Sequence, residues 1–244
     1  MDKFLKEKKI AINFYGLTRS LTKTINSLKQ NLFNPLTENS INYDIFIHTY
    51  KIHGSYHNVW SGEHTENYSN EDVESVLNPK YFIYDDQSDI IKKLNFESYY
   101  SNLGNWTGEG IDENLTKILI KNMCLGLYSK KKITTLFKKY KNDYDYAIIM
   151  RPDLLLTSKF DIGFFNEITD KNIIIPEMDS YAGVNDRFCI GKVDTILYYG
   201  TLFDHLKDYS LRKSIISERY LLDKLNEKNI EIIKKKISYD MIRI

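Results

Sequence analysis

The chain alternates between short apolar runs with no polar face and longer stretches in which apolar residues recur every third or fourth position. The first kind reads as strands covered on both faces and the second as amphipathic helices, which together predict an α/β fold with a mostly parallel sheet. Residues 10–14 form the first predicted strand. Gly16 and Thr18 open a helix carrying Leu21, Ile25, Leu28 and Leu32, and Pro35 is expected to close it. Residues 44–50 and 80–84 are the next strands, with a helix near 88–96. From 114 to about 140, Leu115, Leu119, Met123 and Leu127 mark a long helix lying on the sheet, with a break expected near Gly126. Residues 147–150, 172–176, 187–191 and 231–237 are further strands, and 193–209 and 214–226 are helices. Residues 51–72 and 98–113 show little periodicity, and irregular segments of that length are more often binding loops or lids than idle connections.

Composition narrows the class. With 244 residues and 42% hydrophobic content the chain can bury a full core as one domain, and no repeat or linker marks a boundary. Lys and Arg number 34 against 33 Asp and Glu, so no global field recruits nucleic acid or a membrane surface. The basic runs at Lys130, Lys131 and Lys132, at Lys138, Lys139 and Lys141, and at Lys234, Lys235 and Lys236 are expected to be solvated faces. Cys124 and Cys189 lack CxxC partners, which argues against a disulfide scaffold or a structural zinc site and favours a reducing compartment. Residues 1–9 contain no signal-length apolar core, and no run reaches the ~18 apolar residues of a membrane span. The expectation is a soluble cytoplasmic protein, in the host cytoplasm for a viral chain.

Chemistry gathers at predicted strand ends. Pro152 removes a backbone donor and stops pairing just after Met150, so Asp153 should stand at the carboxyl edge of the sheet, where open α/β folds bind ligands. Arg151 and Asp153 there suit a charged ligand such as a nucleotide diphosphate, and Arg19, after the first strand, can reach a phosphate or be an exposed first-turn residue. Gly183, Asn185, Asp186 and Arg187 precede an apolar strand, as a turn or as a loop presenting a carboxylate to sugar hydroxyls. Ser217 and Glu218 open a late helix, whose positive end should favour the anionic form of Glu218. His53, His57 and His64 sit in a segment read as loop and not as a metal-binding helix. There is no GxxxxGK[ST], GxGxxG or GxSxG motif, which disfavours P-loop NTPases, dinucleotide enzymes and serine hydrolases.

In combination these clusters resemble a glycosyltransferase of the GT-A type. Arg151-Pro152-Asp153 stands where such enzymes carry a DxD acid motif, residues 182–186 where they carry a glycine-containing loop, and Ser217-Glu218-Arg219 in the place of an xED motif. The phrases IAINFYGLTRS, YDIFIHTY, YDYAIIMRPDLLL and NDRFCIG also look like those of small sugar transferases from bacterial surface-polysaccharide clusters and large DNA viruses. The resemblance implies a single domain, residues 1–153 holding a nucleotide-sugar, a UDP-sugar first among them, and 154–244 facing the acceptor. It implies Gly16, Thr18, Arg19, Arg151 and Asp153 on the donor, Gly183, Asn185 and Arg187 in the acceptor loop, and Glu218 or Asp186 as base. Asp153 would be the main ligand of a Mn²⁺ or Mg²⁺ ion. With Arg151 replacing the first acid, dependence on that ion should be weaker than in a two-acid site. Asp153→Asn is expected to abolish turnover and spare the fold. Two other readings remain: a catalytically silent sugar- or nucleotide-binding protein on the same scaffold, and a nucleotidyltransferase.

Overall fold

A central strand buried on both faces needs apolar residues pointing both ways, and the first strand, β1 (Lys9–Tyr15), meets that need. Ile10, Ile12 and Phe14 enter one apolar layer, while Ala11 and Tyr15 enter the other. The computed structural model describes residues 8–103 and 111–243. Most of 1–9, and residues 104–110 of the irregular stretch 98–113, lie outside the described residues.

After β1, α1 (Leu21–Leu28) does not stop at Pro35. It continues through a widened π-type turn at Lys29–Phe33 into α2 (Asn34–Glu38). Proline lacks an N–H and its ring crowds the preceding turn, and the wider turn accommodates both. The chain then forms β2 (Asn42–Lys51), a hairpin of β3 (Tyr56–Asn58) and β4 (Glu63–Thr65), α3 (Val73–Leu77), β5 (Tyr81–Asp86) and α4 (Gln87–Lys93). The hairpin falls in the stretch read as irregular, and it sets His57 against His64 across its two strands.

The long helix α5 (Glu113–Lys138) is N-capped by Asp112 and runs unbroken through Gly126. A side chain at Gly126 would meet nothing within 4 Å, so no packing demand explains the glycine and none breaks the helix. Beyond it come β6 (Tyr146–Met150), β7 (Leu154–Leu156), β8 (Asn172–Pro176) and β9 (Phe188–Lys192). The single helix expected over 193–209 is two, α6 (Val193–Gly200) and α7 (Phe203–Ser210). Gly200 lies so close to α5 that a Cβ would overlap the Thr134 side chain. The chain closes with α8 (Ser217–Glu227), β10 (Glu231–Lys235) and β11 (Tyr239–Met241), the last pairing antiparallel with β7.

One seven-stranded sheet, ordered β10-β8-β9-β6-β1-β2-β5, runs through both halves of the chain. Its strands are parallel except β9, which opposes both neighbours. Chain order steps outward from β1 to β2 to β5 and then returns to β6 on the other side of β1. That reversal is the topological switch point at which Rossmann-like sheets open a ligand crevice. Among the described residues, no helix is long and apolar enough to cross a membrane.

Candidate functional site

All four sequence clusters meet at this edge. β1 and β6 are parallel neighbours with Phe14 beside Met150, so their carboxyl ends deliver Gly16 and Arg151 together. Because β9 is antiparallel, with Phe188 opposite Met150, its amino end brings Asp186 and Arg187 to the same place, and the Arg151 N–H donates to the Arg187 carbonyl at 3.1 Å. The first turn of α8 docks on the preceding loop, where the Val184 N–H donates to the Glu218 carbonyl at 3.2 Å. A Cβ on Gly183 would overlap that same carbonyl, so only glycine permits the approach. The Ser217 hydroxyl then donates to Asp186 Oδ2.

Asp153 is fully buried, which makes it a core residue as well as a strand-edge one and removes the basis for expecting Asp153→Asn to spare the fold. Arg151 donates through Nε to Oδ1 at 2.8 Å and through Nη2 to Oδ2 at 2.5 Å, and Arg19 Nη2 donates to Oδ2 at 3.1 Å. Burial by itself would raise the Asp153 pKa, but the two guanidiniums outweigh it and hold the carboxyl below its usual range. Arg19 is not an exposed first-turn residue. It is buried, pairs with Glu63 at 3.0 Å and donates to the Tyr56 hydroxyl at 2.8 Å, so the β3–β4 hairpin is tied to the edge through it. Thr18 is buried too, with Oγ1 3.4 Å from that of Thr49.

A third guanidinium joins this group from the far end of the chain. The β11–β7 pairing carries on past Met241, so the Ile242 N–H donates to the Asp153 carbonyl at 3.0 Å and the Ser20 hydroxyl donates to the Ile242 carbonyl at 2.7 Å. Arg243 follows, its Nε buried without a hydrogen-bond partner. Burial, and then the nearby Arg19 and Arg151, lower its pKa. The donor set around Asp153 does not fit a divalent cation in this arrangement, because guanidinium groups engage both carboxylate oxygens. Among the described residues, no group of three or more His, Cys, Asp or Glu gathers that could hold a metal ion.

Glu218 and Asp186 form the acidic side of the edge. Burial first, and then the Asp186 charge, push the Glu218 carboxyl up to about 7, the reverse of the anionic preference expected at a helix amino end. Asp186 is fixed through its backbone: its carbonyl accepts from the Tyr15 hydroxyl at 2.7 Å, Lys130 Nζ at 3.2 Å and the Tyr199 hydroxyl at 3.3 Å. Lys130 is therefore no solvated residue. It is 2% exposed, with its Nζ 4.7 Å and 4.3 Å from the ring centres of Tyr15 and Tyr199, and burial lowers its pKa to about 8. Asn185 spends its side chain on the loop, Nδ2 donating to the Met178 carbonyl and the Tyr239 hydroxyl and Oδ1 accepting from the Arg187 and Phe188 N–H groups. Arg187 pairs with Asp179, and its Nε lies 4.0 Å from Asp186 Oδ1.

Gly16, at φ +97°, occupies a backbone region that favours glycine, and its N–H donates to Ser129 Oγ at 2.7 Å. That hydroxyl lies 2.6 Å from His48 Nδ1, and His48 Nε2 is 3.1 Å from Asp85 Oδ2. Every partner is satisfied when Ser129 donates to Nδ1 and neutral His48 donates to Asp85. The order is that of a hydrolase triad, yet Ser129 is fully buried and already holds the Gly16 N–H, so the chain acts as a prop for the first loop. Sequence reading missed this prop, the Lys130 support and Arg243; none has a local signal, since each is defined by partners distant along the chain. No protein-family model and no curated protein matches this sequence.

Proposed function

We propose that the protein transfers a sugar from a nucleotide-diphosphate donor, with UDP-sugars the first to test, to a hydroxyl of a glycan or similar acceptor. What carries this reading is the pairing, at one switch-point edge, of surplus guanidinium charge with a buried carboxyl that titrates near neutrality. Arg19, Arg151 and Arg243 face Asp153 and Glu63, which leaves one positive charge over. Such preorganised charge stabilises a departing diphosphate.

A base is most effective when its pKa lies near the working pH, and Glu218 meets that condition. Its carboxylate would take the acceptor hydroxyl proton as that oxygen bonds to the anomeric carbon. The bond from that carbon to the diphosphate oxygen breaks, and its electron pair leaves on the diphosphate beside the arginines. Attack from the face opposite the leaving group gives inversion. Asp186, held by Ser217 and Lys130, keeps Glu218 partly protonated and in place. The same reading takes the scaffold as GT-A-like, with residues 1–153 on the donor side and 154–244 on the acceptor side.

Incubation with a panel of UDP-, GDP- and dTDP-sugars, with and without Mn²⁺, tests it. Release of nucleoside diphosphate, little changed by EDTA, is expected. Pyrophosphate release from a nucleoside triphosphate would show a nucleotidyltransferase instead, and no release with any donor, despite donor binding, would reduce the protein to a binding module.

A further inference from the structure

Away from the strand edge lies a cavity of about 520 Å³, between the end of α7, the turn that follows it, the first turns of α8 and Asn102. It shares no residue with the edge cluster, although Arg219, which lines it, directly follows Glu218. Its size lies within the ~300–1,000 Å³ of small-ligand sites.

The lining is cationic. Among the described residues, Arg212, Lys213 and Arg219 face a single carboxylate, Asp223. That carboxylate is already engaged, accepting from Lys213 Nζ at 2.8 Å and from the Tyr209 hydroxyl at 2.8 Å, so Lys213 and Asp223 offset each other. Arg212 and Arg219 form no ion pair among the described residues. Arg212 Nε donates only to the Asp208 carbonyl, at 3.4 Å, one turn back. Two guanidiniums thus border a cavity that also carries the Ser214 hydroxyl, and among the described residues the one carboxylate lining it, Asp223, is already paired with Lys213. A planar guanidinium donates to phosphate oxygens in pairs, and two of them match the charge of a phosphate monoester dianion.

We propose that this cavity is a binding site for a phosphate ester. Taken with the transfer reading above, on which this part rests, the phosphate belongs to the acceptor: one end of α8 then holds the base through Glu218 and the acceptor's anionic group through Arg219. The phosphate arrives either on a soluble sugar phosphate or on the headgroup of a lipid-linked acceptor, and Leu211, 58% exposed in the same turn, adds apolar surface at the rim.

Calorimetry with glucose 1-phosphate, and sedimentation with vesicles containing phosphatidic acid against neutral vesicles, separate these sources. Saturable binding of either probe is expected, weakened ~10-fold or more in Arg212→Gln/Arg219→Gln, since each charge-assisted bond removed costs about a factor of ten. Lys213→Gln is expected to weaken it as well, because it leaves the Asp223 carboxylate unpaired beside the bound anion. Arg151→Gln, at the strand edge, should leave it unchanged. Circular dichroism confirms that the exposed substitutions fold. No saturable binding of either probe, or equal binding by the double variant, overturns the proposal. Phosphate binding without any donor turnover would keep this site and remove the transferase reading; donor turnover without phosphate binding would do the opposite.

Discussion

Arg151 grips both oxygens of the Asp153 carboxylate, at 2.8 and 2.5 Å, across the single intervening Pro152. The proline ends the strand and lets the chain turn back, so that an Arg151 side chain still 29% exposed is anchored on a carboxylate with no exposure at all. One group of the pair can meet a ligand while the other holds it in register.

Asp153→Asn removes the charge that compensates Arg19 and Arg151. Breaking a buried ion pair from one side costs about 3–5 kcal/mol. Urea unfolding should show a loss of that order together with loss of turnover. A variant as stable as the parent would mean that water reaches this cluster.

Glu218→Gln should separate activity from stability. If Glu218 is the base, kcat falls ~10²- to 10⁴-fold, and the parent's rate rises with pH through about 7. Its folded pKa is raised, so between the unfolded value of about 4.5 and 7 the native state binds more protons and stability declines as pH rises. The glutamine variant escapes that decline. It should match the parent near pH 4 and exceed it at pH 8 in thermal unfolding. Equal midpoints at both pH values would count against the buried, raised carboxyl.

Lys130 has the opposite linkage. Its pKa is lowered from 10.5 to about 8, so over that window the unfolded chain binds the extra proton and stability rises with pH. The gain totals about 3 kcal/mol at most. In Lys130→Met the rise is lost, and the difference between parent and variant across pH 8 to 10.5 isolates it from the many tyrosines. Donor affinity should change less than kcat, because Lys130 bonds to the Asp186 carbonyl and meets the donor half through the Tyr15 ring.

Gly126→Ala tests the unbroken helix. Alanine meets no atom there and gains about 0.5–1 kcal/mol over glycine inside a helix. Unfolding midpoints should rise accordingly, and a fall would reveal a bend at Gly126.

The strands and helices were legible in the sequence because apolar periodicity is a local property. A short run such as Tyr146–Met150, rich in isoleucine and ended by Pro152, suits a covered strand, and the stripe through Leu119, Met123 and Leu127 suits a packed helix face. The candidate chemistry at Arg19, Asp153, Asp186 and Glu218 was legible for a related reason: Gly, Pro and Asn mark where strands end, and functional groups collect at those ends. Pro35 and the 193–209 segment misled, since whether a proline ends a helix, or a close approach splits one, depends on what lies opposite.

Tertiary structure alone decided which of those groups meet and what their protons do. Reversal of β9 brings Asp186 beside Arg151, and the missing side chain of Gly183 lets α8 bring Glu218 to Asp186. Lys130 reads as one member of a basic run until Tyr15 and Tyr199 close around it, and Arg243 reads as a charged tail until Ile242 pairs with Asp153. Composition fixes how many charges a chain carries, but their energies depend on burial and on neighbours within a few ångströms. Those neighbours here are as many as 222 residues apart in sequence, a separation that no local pattern records.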